Sequence, residues 1–298
     1  MTVLEKQTAL PAAPGAEQGR GYRRRARRLS GWSFVRVLFM LALVVVFATP
    51  LLWMINSSLR TEAAIAADPL GLAGPRLELD NYAVAGEAVA PFFLNSVKLA
   101  VLNVVGVLLI GALAGYAFAR MQFPGKGVLF AVVLATAIVP GIVYLIPQYA
   151  LFQQLGWIDT HLPLWVPRVL TPVFATFLLR QAFLGLPREL EDAARIDGAG
   201  TLQIFFRVMI PQVKPALAAV GIFTFIESWN DLFGPLIFLN STSLQTLPVA
   251  LALFRGEFFT TVSTLMAAST LTVAPVLVVY LFAQRYIVEG ITSSGVKG

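Results

Sequence analysis

Two carboxylates, Glu227 and Asp231, stand four residues apart in an otherwise apolar stretch from Leu217 to Leu239. At that spacing they share one helix face. With Trp229 and Asn230 between them, they have the groups to line a solute path, to bind a proton, or to tie helices together by hydrogen bonds. Tyr144 and Gln148 repeat the spacing on a second apolar stretch, where an aromatic side chain more often packs than binds. A third group, Glu191, Asp192, Ala193, Ala194, Asp197 and Gly198 with Pro211 beyond it, sits in a polar segment over residues 185–216. Charged residues flanking two small alanines make a knob that fits a partner's groove, or an amphipathic loop that packs under a helix bundle.

Other chemistries are excluded by what the chain lacks. There is no cysteine, and His161 is the single histidine, so neither thiolate nor histidine-cluster metal sites are available. No nucleophile is framed by a base. The nearest approach to a phosphate-cradling loop is Gly125, Lys126 and Gly127, which lacks the upstream glycine and the following Ser or Thr. No cofactor is therefore expected on this chain.

Hydrophobic residues make up 57% of the 298 positions and charged residues 13%, about half the charged share of a soluble domain. Such a chain has too little polar surface to face water. A helix needs about 20 apolar residues to cross the hydrocarbon core, and six segments qualify: Phe34 to Ile55, Leu99 to Ala119, Val128 to Tyr149, Leu164 to Phe183, Leu217 to Leu239 and Val262 to Phe282. Pro140, Pro167, Pro172, Pro235 and Pro275 interrupt four of them. Broken helices are tolerated in lipid only where neighbouring helices or a water-lined cavity satisfy the freed carbonyls, so a bundle with an internal pathway is expected. Counted at about 1.5 Å per residue from Leu217, Glu227 lies roughly 15 Å deep in a core about 30 Å thick. A charge there costs on the order of 2.5–3.5 kcal/mol, so the acidic pair is not expected to face lipid.

The net charge of +6 follows topology rather than a nucleic-acid surface. Residues 1–31 read as a disordered basic cytoplasmic tail with Arg23, Arg24, Arg25, Arg27 and Arg28. The apolar stretch after it is too long for a secretory signal core. Residues 32–298 form the membrane domain. With both termini inside, Arg120, Lys126, Arg180, Arg188, Arg195, Arg207, Lys214, Arg285 and Lys297 are cytoplasmic, against external Arg60, Arg76, Lys98 and Arg255, while Arg168 falls within the fourth helix. External loops are expected over residues 56–92, 156–163 and 240–261. His161 in the second of these is expected to be solvated.

The 185–216 loop has helix grammar. Pro187 suits a first helical position, Glu189, Glu191 and Asp192 favour the positive end of a helix dipole, and Gly198 suits a left-handed stop. A second short helix follows, with Thr201 as its expected N-cap and Pro211 near its end. The order Asp192, Ala193, Ala194, then Gly198, then Val208, Met209, Ile210, Pro211 resembles the EAA motif of ABC importer permeases. Asp192 stands for the family's Glu, Val208 for Ile and Ile210 for Leu. The stretch Glu227 to Leu236, the Arg120 to Lys126 hairpin and the final Gly295, Val296, Lys297, Gly298 narrow the resemblance to the maltose-type carbohydrate permeases, over most of the chain after Phe34.

That resemblance implies an all-α polytopic protein with six transmembrane helices and the type I ABC importer permease fold, in a bacterial cell membrane with both termini cytoplasmic. It implies a permease subunit of a binding-protein-dependent sugar importer whose loop at Asp192 to Gly198 couples to a separate ATPase. The implied partners are a second homologous permease, a dimer of ATPase subunits holding ATP and Mg, an extracytoplasmic binding protein and a carbohydrate. It implies a C-terminal tail reaching toward the ATPase, and contact of the Leu247 to Phe259 stretch with the binding protein. The rival reading is an ion-coupled transporter using Glu227 and Asp231 as proton sites; the absence of an evident internal repeat weighs against it.

Overall fold

In hydrocarbon every backbone N–H and C=O must be paired within the protein, which leaves helices as the natural answer for so apolar a chain. The computed structural model describes residues 31–74, 77–253 and 261–295, and among these every regular element is helical. The basic tail before Gly31, Arg76, Arg255 and the terminal Val296, Lys297 and Gly298 lie outside the described residues. The chain divides into two units, one ending at Thr49 and one beginning at Pro50. Four helices are long and apolar enough to cross a membrane, and two bent pairs bring the number to six when each counts as one span.

Helix α1 (Gly31–Ser58) supplies the first span. After a short α2 (Glu62–Ala67), helix α3 (Asp80–Arg120) runs unbroken for 41 residues, through Pro91. It therefore starts well inside the region expected to be an external loop. The residues before Leu99 stay helical because Ala85, Val89 and Phe92 bury one face against Trp229, Leu247, Ala250 and Ala267.

The third segment is not one straight helix. Helix α4 (Lys126–Thr136) gives way at Pro140 to a 3-10 turn (Gly141–Tyr144) and α5 (Leu145–Gln154), and the arms meet at 89°. Pro140 has no N–H to continue the ladder and pushes Val139 away from helical backbone. The fourth segment is α6 (Leu162–Leu170) and α7 (Val173–Leu184), parted at Thr171 and Pro172. Helices α8 (Glu189–Ile196) and α9 (Thr201–Gln203), a π-helical stretch (Ile204–Met209) and α10 (Ile210–Gln212) form a hairpin between the fourth and fifth segments.

The fifth segment also differs from one continuous helix. Helix α11 (Lys214–Trp229) stops early and α12 (Phe233–Phe238) follows. Asp231 intervenes between them, its Oδ1 accepting the Gly234 N–H at 3.0 Å. A short α13 (Leu247–Leu253) precedes α14 (Val262–Gly295), which continues through Pro275 without a break.

Helix α3 is the spine of the second unit, and it approaches α7 through Gly111 and Gly115, a small-xxx-small pair. A Cβ on Gly111 would lie 2.6 Å from Ala175 Cβ, and one on Gly115 would lie 3.0 Å from the Arg180 backbone nitrogen. At the end of α6 away from α7, Asp159 ties the α5–α6 turn to the segment after α12. Its carboxylate accepts the Asn240 and Ser241 amides at 2.9 and 2.8 Å and the Ser241 hydroxyl. The Ser241 hydrogen bonds hold its carboxyl below the ordinary value. His161 is not solvated: it is buried, with Nε2 2.8 Å from the Leu244 carbonyl.

Replacing Gly111 by Leu is expected to force α3 from α7 and to destabilise the subunit by about 1–3 kcal/mol. A lowered thermal midpoint of the detergent-solubilised protein, partly restored by Ala175→Gly, is the signature to look for.

Candidate functional site

The hairpin begins where α7 ends. Arg188 occupies the N-cap position of α8, so Pro187 stands just outside the helix rather than in its first turn. Glu189, Glu191 and Asp192 follow in that first turn, where the helix dipole favours negative charge. At the other end Gly198 takes φ +82°, as its position after Ile196 requires. The Ala199 N–H reaches back to the Ala194 carbonyl at 2.9 Å and the Gly198 N–H to Arg195 at 3.0 Å, so two terminal carbonyls are satisfied and the helix stops cleanly. Gly200, not Thr201, is the N-cap of α9, and its N–H is accepted by Gln203 Oε1 at 3.1 Å.

One side of this hairpin is anchored. Ile204, Phe205, Met209 and Val213 are buried with Tyr116 of α3 and Leu179 and Phe183 of α7, and Ala194, Ala199, Val208 and Ile210 pack against that cluster. Within it lies an ion pair. Arg120 Nε is 3.2 Å from Glu191 Oε1, each side chain only 6% exposed. The same guanidinium donates from Nη2 to the Phe183 and Leu186 carbonyls at 2.7 and 2.6 Å, the open end of α7.

Glu191 thus differs from its neighbours in the motif, since it faces the bundle as an anchor. Asp192, Ala193, Asp197 and Gly198 are exposed on the other side, and Ala194 and Pro211 are half-buried. Arg195 bridges the two faces, contacting Glu191 Oε2 at 3.1 Å and Asp192 Oδ1 at 2.9 Å. With Arg195 57% exposed, those contacts contribute little beside the buried pair.

The second group of residues is only partly brought together. Trp229 is buried: at 1% exposure it packs on Phe93 and Phe225, and its indole N–H donates to the Thr272 carbonyl at 3.1 Å. The indole locks α11 to α14. Tyr144 lies in the 3-10 turn and Gln148 in α5, beyond the 89° bend, and no hydrogen bond joins them to α11. Tyr149 and Phe152 are the α5 residues that meet Phe238 of α12.

Glu227 and Asn230 are exposed, and among the described residues the Glu227 carboxylate has neither ion pair nor hydrogen bond. Asp231 has a partner that sequence spacing did not disclose: its Oδ2 lies 3.3 Å from Arg168 Nη2, the side chains 29% and 24% exposed. The signal was available, because a basic residue well inside a spanning segment needs a carboxylate. A second polar tie, Asn103 Nδ2 to Ser228 Oγ at 2.8 Å, joins α3 to α11.

The family described as the inner membrane component of binding-protein-dependent transport systems matches residues 107–293. The chain belongs to it. The match includes residues 107–120 of α3, α4 to α13 and most of α14, and so takes in both groups of residues.

Among relatives, it is 34% identical over 281 residues to the arabinooligosaccharides transport system permease protein AraQ of Halalkalibacterium halodurans, covering 93% of this chain and 100% of that one. It is 32% identical over 279 residues to the trehalose transport system permease protein SugB of Mycobacterium tuberculosis, covering 92% and 99%. The fold is that of a solved bacterial ABC transporter that imports the acidic polysaccharide alginate (TM-score 0.76, 24% identity, 88% of this chain and 98% of that one). The protein is a multi-pass component of a transport system. Membership sets aside the ion-coupled alternative.

Removing one member of the Arg120–Glu191 pair leaves a buried charge alone, expected to cost about 3–5 kcal/mol. Arg120→Ala should therefore lower the thermal midpoint far more than the paired replacement Arg120→Met with Glu191→Leu, and equal losses would deny the pair its anchoring role.

Proposed function

We propose that this chain is one permease subunit of an ATP-driven, binding-protein-dependent importer of a neutral carbohydrate, supplying half of the translocation pathway. It works beside a second homologous permease, two ATPase subunits that hold ATP and Mg, and an extracytoplasmic binding protein. Both termini are cytoplasmic, as the distribution of Lys and Arg requires.

The observation that carries this reading is the two-sided α8. Its inner side is held to α3 and α7 by the Arg120–Glu191 pair and the aromatic cluster. Its outer side presents exposed Asp192, Ala193 and Asp197 beside a cleanly terminated helix end. A short, rigid projection with small residues at its crest fits a groove in the ATPase, and movement of that subunit is passed to the spanning helices as rigid-body displacement. The substrate class rests on relatives named for oligosaccharide and trehalose transport. Neutrality rests on Arg168, the one basic residue in the pathway region, already being matched by Asp231.

Glu227 of α11, and Asn230 and Asp231 just after it, are kept as pathway residues. Leu247, Val249 and Ala250 of the stretch assigned to binding-protein contact are buried, which leaves that role to the residues following α13. Residues 254–260 lie outside the described residues.

The space around Gly198 is open, so Gly198→Val acts through its positive φ, a strain of about 1–2 kcal/mol, rather than by collision. Together with Ala193→Glu, it is expected to cut ATP-dependent uptake in the reconstituted complex by about tenfold or more, at unchanged membrane abundance of the subunit. Normal uptake by both variants would overturn the coupling role.

A further inference from the structure

Three basic side chains gather where the end of α3 meets α4 and α7. Lys126, the first residue of α4, donates from its ammonium to the Met121 carbonyl, just past the end of α3, at 2.8 Å. Arg180 of α7 reaches the same end of α3, its Nε donating to the Phe118 carbonyl at 3.2 Å. Its guanidinium lies over the ring of Phe130, 4.3 Å from the centroid. Phe130 is one turn on from Lys126, so both cations share one face of α4. Arg188, at the N-cap position of α8, is near enough for its charge to act on Lys126 together with that of Arg180.

Carbonyl oxygens and a ring face orient these cations but neutralise none of them. Among the described residues no carboxylate lies within ion-pair distance of any of the three, whereas Arg120, Arg168 and Arg195 each have one. Like charges gathered in this way repel, and an anion seated among them removes that cost. There is room for one: a Cβ on Gly125 or Gly127 would meet nothing within 4 Å, and Arg188 is exposed.

The surface beside the charges decides the class of anion. Phe118 packs on Phe123 and Phe130 beneath the guanidinium. Leu129, next to Phe130, and Phe177 and Leu184, one turn to either side of Arg180, are exposed. Both α4 and α7 belong to spanning segments. A free phosphate or an acidic loop would cover the charges and leave that apolar surface bare. A phospholipid covers both, because its phosphate takes the cations while its chains lie along the helices.

We infer that Lys126, Arg180 and Arg188 form a headgroup site for an anionic phospholipid in the leaflet on the hairpin's side, with its acyl chains along Leu129, Phe177 and Leu184. The site lies apart from the pathway residues and from the exposed side of α8. From the importer reading it takes only the cytoplasmic identity of that leaflet.

The test reads the thermal midpoint of the detergent-solubilised assembly, as purified, against the mole fraction of phosphatidylglycerol in the micelle. The midpoint is expected to rise and saturate with phosphatidylglycerol, and to rise little with phosphatidylcholine or with inorganic phosphate. Lys126→Gln and Arg180→Gln each keep an N–H for the α3 carbonyls while losing the charge. Each should raise the phosphatidylglycerol needed for half the effect about fivefold, and Lys126→Arg should restore it. Arg207→Gln removes an exposed cation elsewhere on the hairpin and should leave the response unchanged.

An undiminished response in the glutamine variants, or an equal loss in Arg207→Gln, would overturn the site. An equal rise with inorganic phosphate would overturn the lipid as its occupant. If Lys126→Gln and Arg180→Gln do not assemble, Arg188→Gln carries the test, because the Arg188 side chain has no hydrogen bond among the described residues whose loss could unfold the bundle. The readout is binding rather than transport, so an assembly that imports no carbohydrate would overturn the proposed function and leave this result standing.

Discussion

The guanidinium of Arg120 joins three chain segments at one point. It ends α3, closes the open carbonyls of α7 and neutralises Glu191 of α8. Buried ion pairs are weak contributors to stability when compared with apolar substitutes, but they are specific, because a misplaced partner leaves a charge stranded. That specificity fits a hairpin whose outward geometry matters more than its own stability. The aromatic cluster of Tyr116, Phe183 and Phe205 supplies the apolar burial, and the ion pair fixes the angle at which α8 leaves the bundle.

Elsewhere in the second unit, polar groups divide into those that join helices and those left open. Asn103 with Ser228 and Trp229 with Thr272 fasten α11 to α3 and α14 inside the packed interior. Arg168 with Asp231 fastens two broken helices at an open face. Glu227 fastens nothing. A membrane subunit that must pass a polar solute needs both kinds, and here they fall on opposite sides of one helix.

The hairpin of α8 to α10 was the most legible part of the chain, because it depends on local rules. A positive φ after Ile196 calls for glycine, and acidic residues gather in the first turn of α8. Spanning segments were legible as apolar lengths, yet their breaks were not. Pro140 and Pro172 break their helices while Pro275 and Pro91 ride inside intact ones, and the difference lies in neighbours that sequence does not reveal. Trp229 and Glu227 are two residues apart, so helical geometry turns them to different sides, but which side faces the interior is decided by Phe93, Phe225 and Thr272 on other elements. The inward turn of Glu191 and the burial of His161 likewise depend on partners 71 and 83 positions away in the chain.

The length of α3 has a mechanical consequence. At about 1.5 Å per residue its 41 residues reach roughly 60 Å, twice the hydrocarbon thickness. Its outer end is packed among α13 and α14, and its inner end carries Arg120. Such a rod behaves as a lever with its fulcrum in the bilayer: a tilt of about 5° moves each end by roughly 2.5 Å in opposite directions. The hairpin anchored at Arg120 and the opposite surface around α13 are thereby placed on the two arms of one beam.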